Sequence, residues 1–351
     1  MARRILLILC FCFCLSGLFA QGQRTIRVGL LLPFKSQEAI GARSVEFYRG
    51  FLMAVDSLRQ KDVRFEIETN DCGISVGDFA LMLATQEKSN YDLIIGPSDE
   101  AKMKMLNDFS AKKSCKLLMP FGGDYSNYIW NSNFFVMRSA KKDYAEKIYQ
   151  KMDRTFRGEN RKMVLFKGIG DEHPVATILK AKDKKIKTIS KVSQAKKLYK
   201  SFGTTPIVII PSSNDNRARN SIMTIIAEIK QKYPQMDCAM FDWSGELNNE
   251  EFDRYTLLTE YCDMNKPENK AFAQKYTNQF NEPFYNESFS FILYGFDTGY
   301  YLLNGLLKYG KQFADQTMDI KGMQNDFDFV RISDNGALLN TSLIVAKVGK
   351  K

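Results

Sequence analysis

Histidine is nearly absent: His173 is the only one in a chain of 351 residues. Any Ser–His–Asp or Cys–His nucleophile would have to use it, and a zinc site could draw on a single imidazole. The sequence has no G-x-S-x-G elbow, no H-E-x-x-H helix and no P-loop, so the common motif-borne routes to hydrolysis and nucleotide chemistry are missing. Gly168-Ile169-Gly170 opens like a dinucleotide-binding turn, but His173 occupies the third glycine position. Asp99 and Glu100 are sequence neighbours that suit a helix start better than a pair of carboxylates facing across a glycosidic bond. These absences point away from an enzyme and away from a resident cofactor or metal.

Long apolar runs are equally scarce. The one that stands out is Ile5–Leu15, behind Arg3 and Arg4 and ahead of Leu18-Phe19-Ala20. That order of basic, apolar and small residues predicts a signal peptide cleaved after Ala20, leaving Gln21 as the first mature residue and placing the protein in the periplasm. The alternative is a retained anchor, but the run is short for a membrane span. Cys10, Cys12 and Cys14 follow Leu or Phe, not the small residues a lipid-attachment site needs. No later segment is long and apolar enough to cross a membrane, so none is expected in the mature chain.

Cysteine is sparse after the leader. Cys72, Cys115, Cys238 and Cys262 remain, with no C-x-x-C pair. An oxidising compartment permits disulfides, yet all four fall in or beside expected strands, where a thiol serves as a small apolar residue. Cys238–Cys262 is the best candidate pair, because their strands could be neighbours.

What is plentiful is lysine. The formal charge is +10 and falls to +8 when Arg3 and Arg4 leave with the signal. Nine lysines crowd the segment from Lys180 to Lys200. The plain reading is a solvated face; the functional one is contact with an anionic envelope polymer or membrane surface. No recognisable nucleic-acid module accompanies them.

About 330 mature residues suit two domains, each able to bury its own core. Short apolar segments alternate with helical patterns. Strands are expected at 26–32, 63–69, 92–95, 116–119, 134–137, 163–166, 206–210, 238–241 and 257–261, several of them apolar throughout, as in parallel strands covered on both faces. The helix over 46–59 has Phe47, Phe51, Leu52, Val55 and Leu58 on one face; that over 217–231 has Ile222, Ile225, Ile226 and Ile229. The fold class is α/β, as two doubly wound lobes with right-handed crossovers. Residues 21–137 and 266–318 are assigned to lobe one, and 138–265 and 319–351 to lobe two. Two helices are expected within 265–310, one with an aromatic stripe read as core. The last strands, at 327–332 and 343–347, are expected to finish lobe two.

Several segments occur together in order: VGLLLPF (28–34), EFYRGFLMAVDSL (46–58), LIIGPS (93–98), VIIPSSN (208–214), FDWS (241–244), YGFDTGYYLL (294–303) and FDFVRISDNGALLN (327–340). With them the chain resembles the type I periplasmic binding-protein family, which includes leucine/isoleucine/valine-binding proteins of ABC importers. Within that family it is most similar to a Bacteroidetes envelope branch often joined to LysM domains, although no LysM-like segment is present here. The resemblance covers nearly the whole mature chain. It implies Venus-flytrap architecture, with two lobes joined by three hinge strands and a cleft that closes on ligand.

Ligands of open α/β sheets meet the loops beyond the carboxyl ends of the strands. That rule selects Phe34, Ser98, Asp99, Gly122, Gly123 and Asp124 in lobe one, and Gly170, Asp171, Ser212, Ser213, Asn214 and Trp243 in lobe two. Glycine admits close approach, and Ser and Asn supply short hydrogen-bonding groups. Trp243 could stack on a ring or sugar face or simply pack. Each residue alone is better explained by turn or cap chemistry; as a set converging on one cleft they read as a binding site. The family's amino-acid binders use Ser/Thr-rich segments at two of the lobe-one loops. Here Ser98 is expected to cap a helix whose first turn holds Asp99 and Glu100, and Asp124 adds a third carboxylate. A free neutral amino acid would meet repulsion there. The expectation is an exported solute-binding protein that takes a small polar ligand, cationic or neutral, for an ABC permease or a receptor. The alternative is a non-transport envelope scaffold or regulator of peptidoglycan synthases, using the same fold for protein contacts.

Overall fold

The computed structural model describes residues 24–97, 99–122, 124–137, 144–247, 252–285, 289–316 and 318–348. The expected leader, Ser98 and Gly123 lie outside the described residues. The chain opens β1 (Arg24–Leu32), α1 (Ala39–Ser57), β2 (Val63–Asp71), α2 (Val76–Thr85), β3 (Leu93–Ile95), α3 (Glu100–Lys113), β4 (Lys116–Met119) and β5 (Phe134–Val136). It continues through α4 (Ala145–Gly158), β6 (Lys162–Phe166), α5 (Pro174–Lys182), β7 (Lys187–Ile189), α6 (Ala195–Phe202), β8 (Ile207–Pro211), α7 (Asn216–Lys232), β9 (Cys238–Asp242) and β10 (Arg254–Leu258). It closes with α8 (Pro267–Phe280), α9 (Phe291–Tyr309), β11 (Phe329–Arg331), β12 (Leu338–Asn340) and β13 (Ile344–Val348).

The chain divides into two units. Unit 1 takes Met1–Met137, Phe291–Asp319 and Arg331–Leu338; unit 2 takes Arg138–Ser290, Ile320–Val330 and Leu339–Lys351. Two assignments differ from the sequence reading. Helix α8, expected with the first lobe, lies in unit 2. Its Asn269 is bound to the carbonyl of Asp263, 2.8 Å away, and so ties the helix to the chain just before it. Strand β11, expected to finish the second lobe, is divided: Phe329 and Val330 lie in unit 2 as expected, Arg331 lies in unit 1, and the strand joins the seven-stranded sheet that contains β1. Arg331 holds its end there, bonding Asp315 at 2.6 Å and the Ser132 carbonyl at 3.1 Å.

That sheet has the order β11-β12-β5-β4-β3-β1-β2; unit 1 is built on β1 to β5, and only Arg331 of β11 and Leu338 of β12 fall within its bounds. Strands β1 to β5 pair in parallel. Val28, Leu30, Leu31 and Leu32 of β1 are buried, as are all residues of β3 and β5, because a parallel sheet covered on both faces leaves no polar side. Helices α1 and α9 meet at backbone distance. A Cβ at Gly50 would fall on the carbonyl oxygen of Ile292, and one at Gly295 on that of Phe47. Phe47, Phe51 and Ala54 of α1 are fully buried, as are Leu293, Tyr294 and Leu302 of α9; of the aromatic stripe, Tyr294 and Tyr301 are core, whereas Phe289, Phe291, Phe296 and Tyr300 are half-buried.

Lys116 opens β4 with a buried ammonium that donates to Asn133 Oδ1 at 2.9 Å. Burial, then the nearby Arg331, pushes its pKa down to about 8. Below that pH the ammonium is charged in both folded and unfolded chains, and its burial opposes folding. Between about 8 and the ordinary lysine value the unfolded chain holds the extra proton, so stability rises with pH. We therefore expect wild type to gain about 2–3 kcal/mol on Lys116→Met between pH 7 and pH 10, read by urea unfolding at both pH values. A pH-independent difference would contradict this.

Unit 2 carries a six-stranded sheet of order β13-β10-β9-β8-β6-β7, parallel except for β13 against β10. One face packs α4 and α5 through Ile148, Met152 and Leu179. The other packs α6 and α7 through Leu198, Ile222 and Ile226. The lysine-rich segment contains the edge strand β7 and the ends of the helices on either side of it, which lie on opposite faces of the sheet. Lysines beside a short edge discourage pairing with another chain, in line with the plain reading of a solvated face.

The four described cysteines form no disulfide. The candidate pair Cys238–Cys262 does not form. Cys238 begins β9, whereas Cys262 lies beyond the far end of the parallel neighbour β10. Burial raises the Cys72 thiol to about 12 and that of Cys115 to about 11, which keeps both as unreactive core residues.

Candidate functional site

In unit 1 the chain runs from β1 outward to β2 on one side and to β3, β4 and β5 on the other. The strand order therefore reverses between β1 and β3, the place where doubly wound sheets receive ligands. Phe34 follows β1. Its N–H donates to the Leu32 carbonyl at 2.8 Å, and its half-exposed ring stands edge-on to Tyr48. Asp71, at the end of β2, ties this loop to the next by accepting from the N–H groups of Lys35 and Gly73, each at 3.3 Å.

After β3, Asp99 caps α3, its Oδ1 accepting from the Lys102 N–H at 3.0 Å. The expected cap was Ser98. The helix starts one residue later than that reading assumed, so the capping oxygen is a carboxylate and Glu100 occupies the first turn. After β4, Gly122 sits at φ +80° with open space around its missing Cβ. Asp124 closes a turn by accepting from the Ser126 N–H at 2.9 Å. Tyr128 draws the two loops together, donating to the Glu100 carbonyl at 3.1 Å. Burial, and then the charges of Glu100, Asp124, Asp108 and Asp99, raise its phenol above the ordinary value. The structure thus gathers Asp99, Glu100 and Asp124 around one tyrosine at the strand ends of unit 1.

Unit 2 repeats the topology, with the reversal between β6 and β8. The loops there are bound to each other. Ser212 Oγ accepts from the Gly168 N–H at 3.0 Å, Ser213 Oγ donates to the Ile169 carbonyl at 3.0 Å, and the Ser212 carbonyl accepts from the His173 N–H at 2.8 Å. A Cβ at Gly168 would meet Ser213 Oγ, so a larger residue there would displace the hydroxyl from Ile169. Ser212 and Ser213 are buried; Asn214, Gly170 and Asp171 are exposed, and Gly170 has φ +93°. Asp215 caps α7, and the Arg217 N–H it accepts lowers its carboxyl pKa.

Trp243 is only 5% exposed. Its Nε1 donates to the Pro211 carbonyl at 2.9 Å, and its ring lies on His173 at 3.8 Å between centroids. A ring so enclosed packs the loop; it does not offer a free face for stacking. His173 caps α5, Nδ1 accepting from the Val175 N–H at 3.3 Å. The one imidazole is therefore held in a cap and a stack, with neither serine hydroxyl bonded to it.

Sequence reasoning missed the most strongly bound group at this end of unit 2. Asp242, the last residue of β9, accepts from Arg254 at 2.8 Å and from the Ser244 N–H at 3.0 Å, and lies 3.4 Å from Arg219. The Arg254 side chain is fully buried. Asp242 stands at a strand end that the strand-end rule selects, in FDWS, but the residue picked out there was Trp243. Among the described residues no cluster of His, Cys, Asp and Glu could hold a metal ion, and no helix is long and apolar enough to cross a membrane.

No protein-family model and no curated protein matches the chain. Solved structures do. A putative branched-chain amino acid ABC transporter from Rhodospirillum rubrum superposes with a TM-score of 0.58 at 11% identity, over 93% of this chain and 98% of that one. The fold is that of the type I periplasmic binding proteins. Two further similar structures are LivJ from Streptococcus pneumoniae with isoleucine (TM-score 0.45, 15% identity, 92% of this chain and 100% of that one) and a solute-binding protein from R. palustris with benzoate (0.44, 14%, 93% and 98%). At these identities the likeness is one of fold.

Proposed function

We propose that this protein is an exported solute-binding protein, cleaved after Ala20, that captures a small polar ligand at its strand-end loops and presents it to an ABC-type permease or a receptor. The observation that carries this reading is the repeated topology: both units reverse strand order, and both present Gly-, Ser- and Asp-bearing loops at that reversal. The role is binding, because the one histidine is engaged in a cap and a stack. In unit 1 the helix terminus that would attract a carboxylate already has Asp99 as cap and Glu100 in its first turn. The ligand that suits this end is cationic or neutral and polar, such as a polyamine, sugar or nucleoside, not a free neutral amino acid. Phe34, Gly122, Asp124, Gly170, Asp171 and Asn214 are the residues nearest to it in this reading; Ser98 and Gly123 belong to the same loops by sequence.

A second reading has one observation in its favour. Ser212, Ser213 and Trp243 bond within their own unit, as they would in an envelope scaffold or peptidoglycan-synthase regulator of the LysM-associated type. Thermal unfolding against amino acids, polyamines, sugars, nucleosides and muropeptides separates the two. A ligand at 100 times its Kd stabilises by about 2.7 kcal/mol, a rise of several degrees in Tm. A saturable shift with a cationic or polar solute is expected. No shift across the panel would contradict solute capture and favour the scaffold.

A further inference from the structure

The two sheets guard one edge each in different ways. In unit 2, β7 is a three-residue edge flanked by charges of one sign, which repel a second copy. In unit 1, β2 is a nine-residue edge. It contains neither proline nor glycine and pairs with β1 along its whole length without a bulge. No other described strand pairs with its outer side. Such an edge is a ready template for another strand.

The register with β1 fixes which groups are available. The Arg24 N–H bonds the Asp62 carbonyl, and the Cys72 N–H bonds the Leu32 carbonyl. Even-numbered residues of β2 therefore turn their backbone toward β1, and Phe65, Ile67 and Thr69 turn theirs outward. The side chains of Arg64, Glu66 and Glu68 share one face, along a groove of about 710 Å3 that Arg27, Lys88 and Tyr91 also line. This groove lies toward the amino ends of the strands, away from the loops assigned to solute.

We infer that β2 is a self-association surface, pairing antiparallel with β2 of a second copy of this chain about a two-fold axis at Phe65. Only registers that oppose outward-facing odd residues can form the ladder. Centring on Arg64 sets arginine against arginine. Centring on Glu66 sets glutamate against glutamate, and centring on Ile67 sets Glu66 against Glu68. Centring on Phe65 sets Arg64 against Glu66 twice, in the non-hydrogen-bonded pairs where side chains come closest, at about 4.5 Å between Cα atoms. It also opposes Val63 and Ile67. The one unfavourable pair, Asp62 against Glu68, falls at the ends, where Glu68 already accepts from Tyr91 at 2.6 Å and Gln86 at 2.7 Å. Arg64 is 63% exposed and pairs at 3.4 Å with its own Glu66, which also accepts from Arg27 at 2.9 Å; in the dimer each Arg64 exchanges that partner for the Glu66 of the second copy. The pairing is isologous and closes on itself, so it gives a dimer and not a fibre.

Sedimentation velocity of the protein purified from cells expressing the full chain tests this. Wild type should show a concentration-dependent dimer. Arg64→Glu should weaken it about tenfold or more, because it sets two glutamate pairs across the axis. The swap Arg64→Glu with Glu66→Arg should restore it, since each position again meets its opposite. Melting temperatures confirm that each variant is folded; both changes are on the exposed face of an edge strand. A wild type that stays monomeric at the highest soluble concentration overturns the inference. So does a dimer that ignores Arg64→Glu, or a folded swap variant that stays monomeric.

Discussion

Gly50→Ala should unfold unit 1 under conditions where wild type is stable. The added methyl lands on the backbone carbonyl of Ile292, a partner that cannot rotate away. Neither can α1 and α9 simply separate, because the reciprocal contact at Gly295 meets the Phe47 carbonyl, and Gly299 lies against Phe51 and Ala54. Interiors packed to crystal density pass such a displacement to their neighbours. Here those neighbours are the buried Phe47, Phe51 and Tyr294. Overpacking of a well-filled core costs about 1–3 kcal/mol when side chains can move; against backbone the expected loss exceeds about 4 kcal/mol. Gly77→Ala is the control, since its nearest neighbour is Ser75 Oγ at 3.8 Å; it should be neutral or stabilising by up to about 1 kcal/mol, alanine being the better helix former. Urea unfolding followed by near-ultraviolet circular dichroism reads both. A Gly50→Ala protein melting with wild type would show that the two helices are not in backbone contact.

Asp242→Ala should cost unit 2 about 3–5 kcal/mol, the usual loss when one member of a buried ion pair is removed. It leaves the enclosed Arg254 guanidinium beside Arg219 without the carboxylate between them. It also removes the acceptor for Ser244 that shapes the turn after β9. Adding Arg254→Met to Asp242→Ala should recover most of the loss, because replacing both members of such a pair by apolar groups is often nearly neutral. A double variant no more stable than the single would show that the charge pair is not the source of the effect. This ion pair sits at the carboxyl end of β9, so the same variants are expected to weaken solute binding through the Ser244 turn.

Most of the sheet framework could be read from the chain. Strands β3, β8 and β9 are short and buried throughout, and β1, β4 and β6 become apolar and buried after a polar start; parallel strands covered on both faces leave that pattern in sequence. The misplaced strand is β10, expected at 257–261 and found at Arg254–Leu258. It begins with an arginine buried by pairing, which an apolar pattern cannot announce. Strand β7, with lysine at its start, and the three-residue β12 were hidden for similar reasons. The site loops were visible as strand ends, but the bonds within them were not. Ser212 meets Gly168 and Ser213 meets Ile169 across 44 positions of sequence, and only the adjacency of β6 and β8 brings those loops together. The same dependence on neighbours explains Cys238 and Cys262, whose strands are adjacent while the thiols lie toward opposite ends.

A small polar solute is expected to engage the strand-end loops. Amide hydrogen exchange measures it directly, comparing the purified protein alone and with whichever solute of the melting panel gives the largest shift. Added protection is expected at these loops, around residues 96–102 and 121–126 of unit 1 or around 168–175 and 212–217 of unit 2. Protection at neither set of loops, or protection confined to the β2 groove, would contradict this.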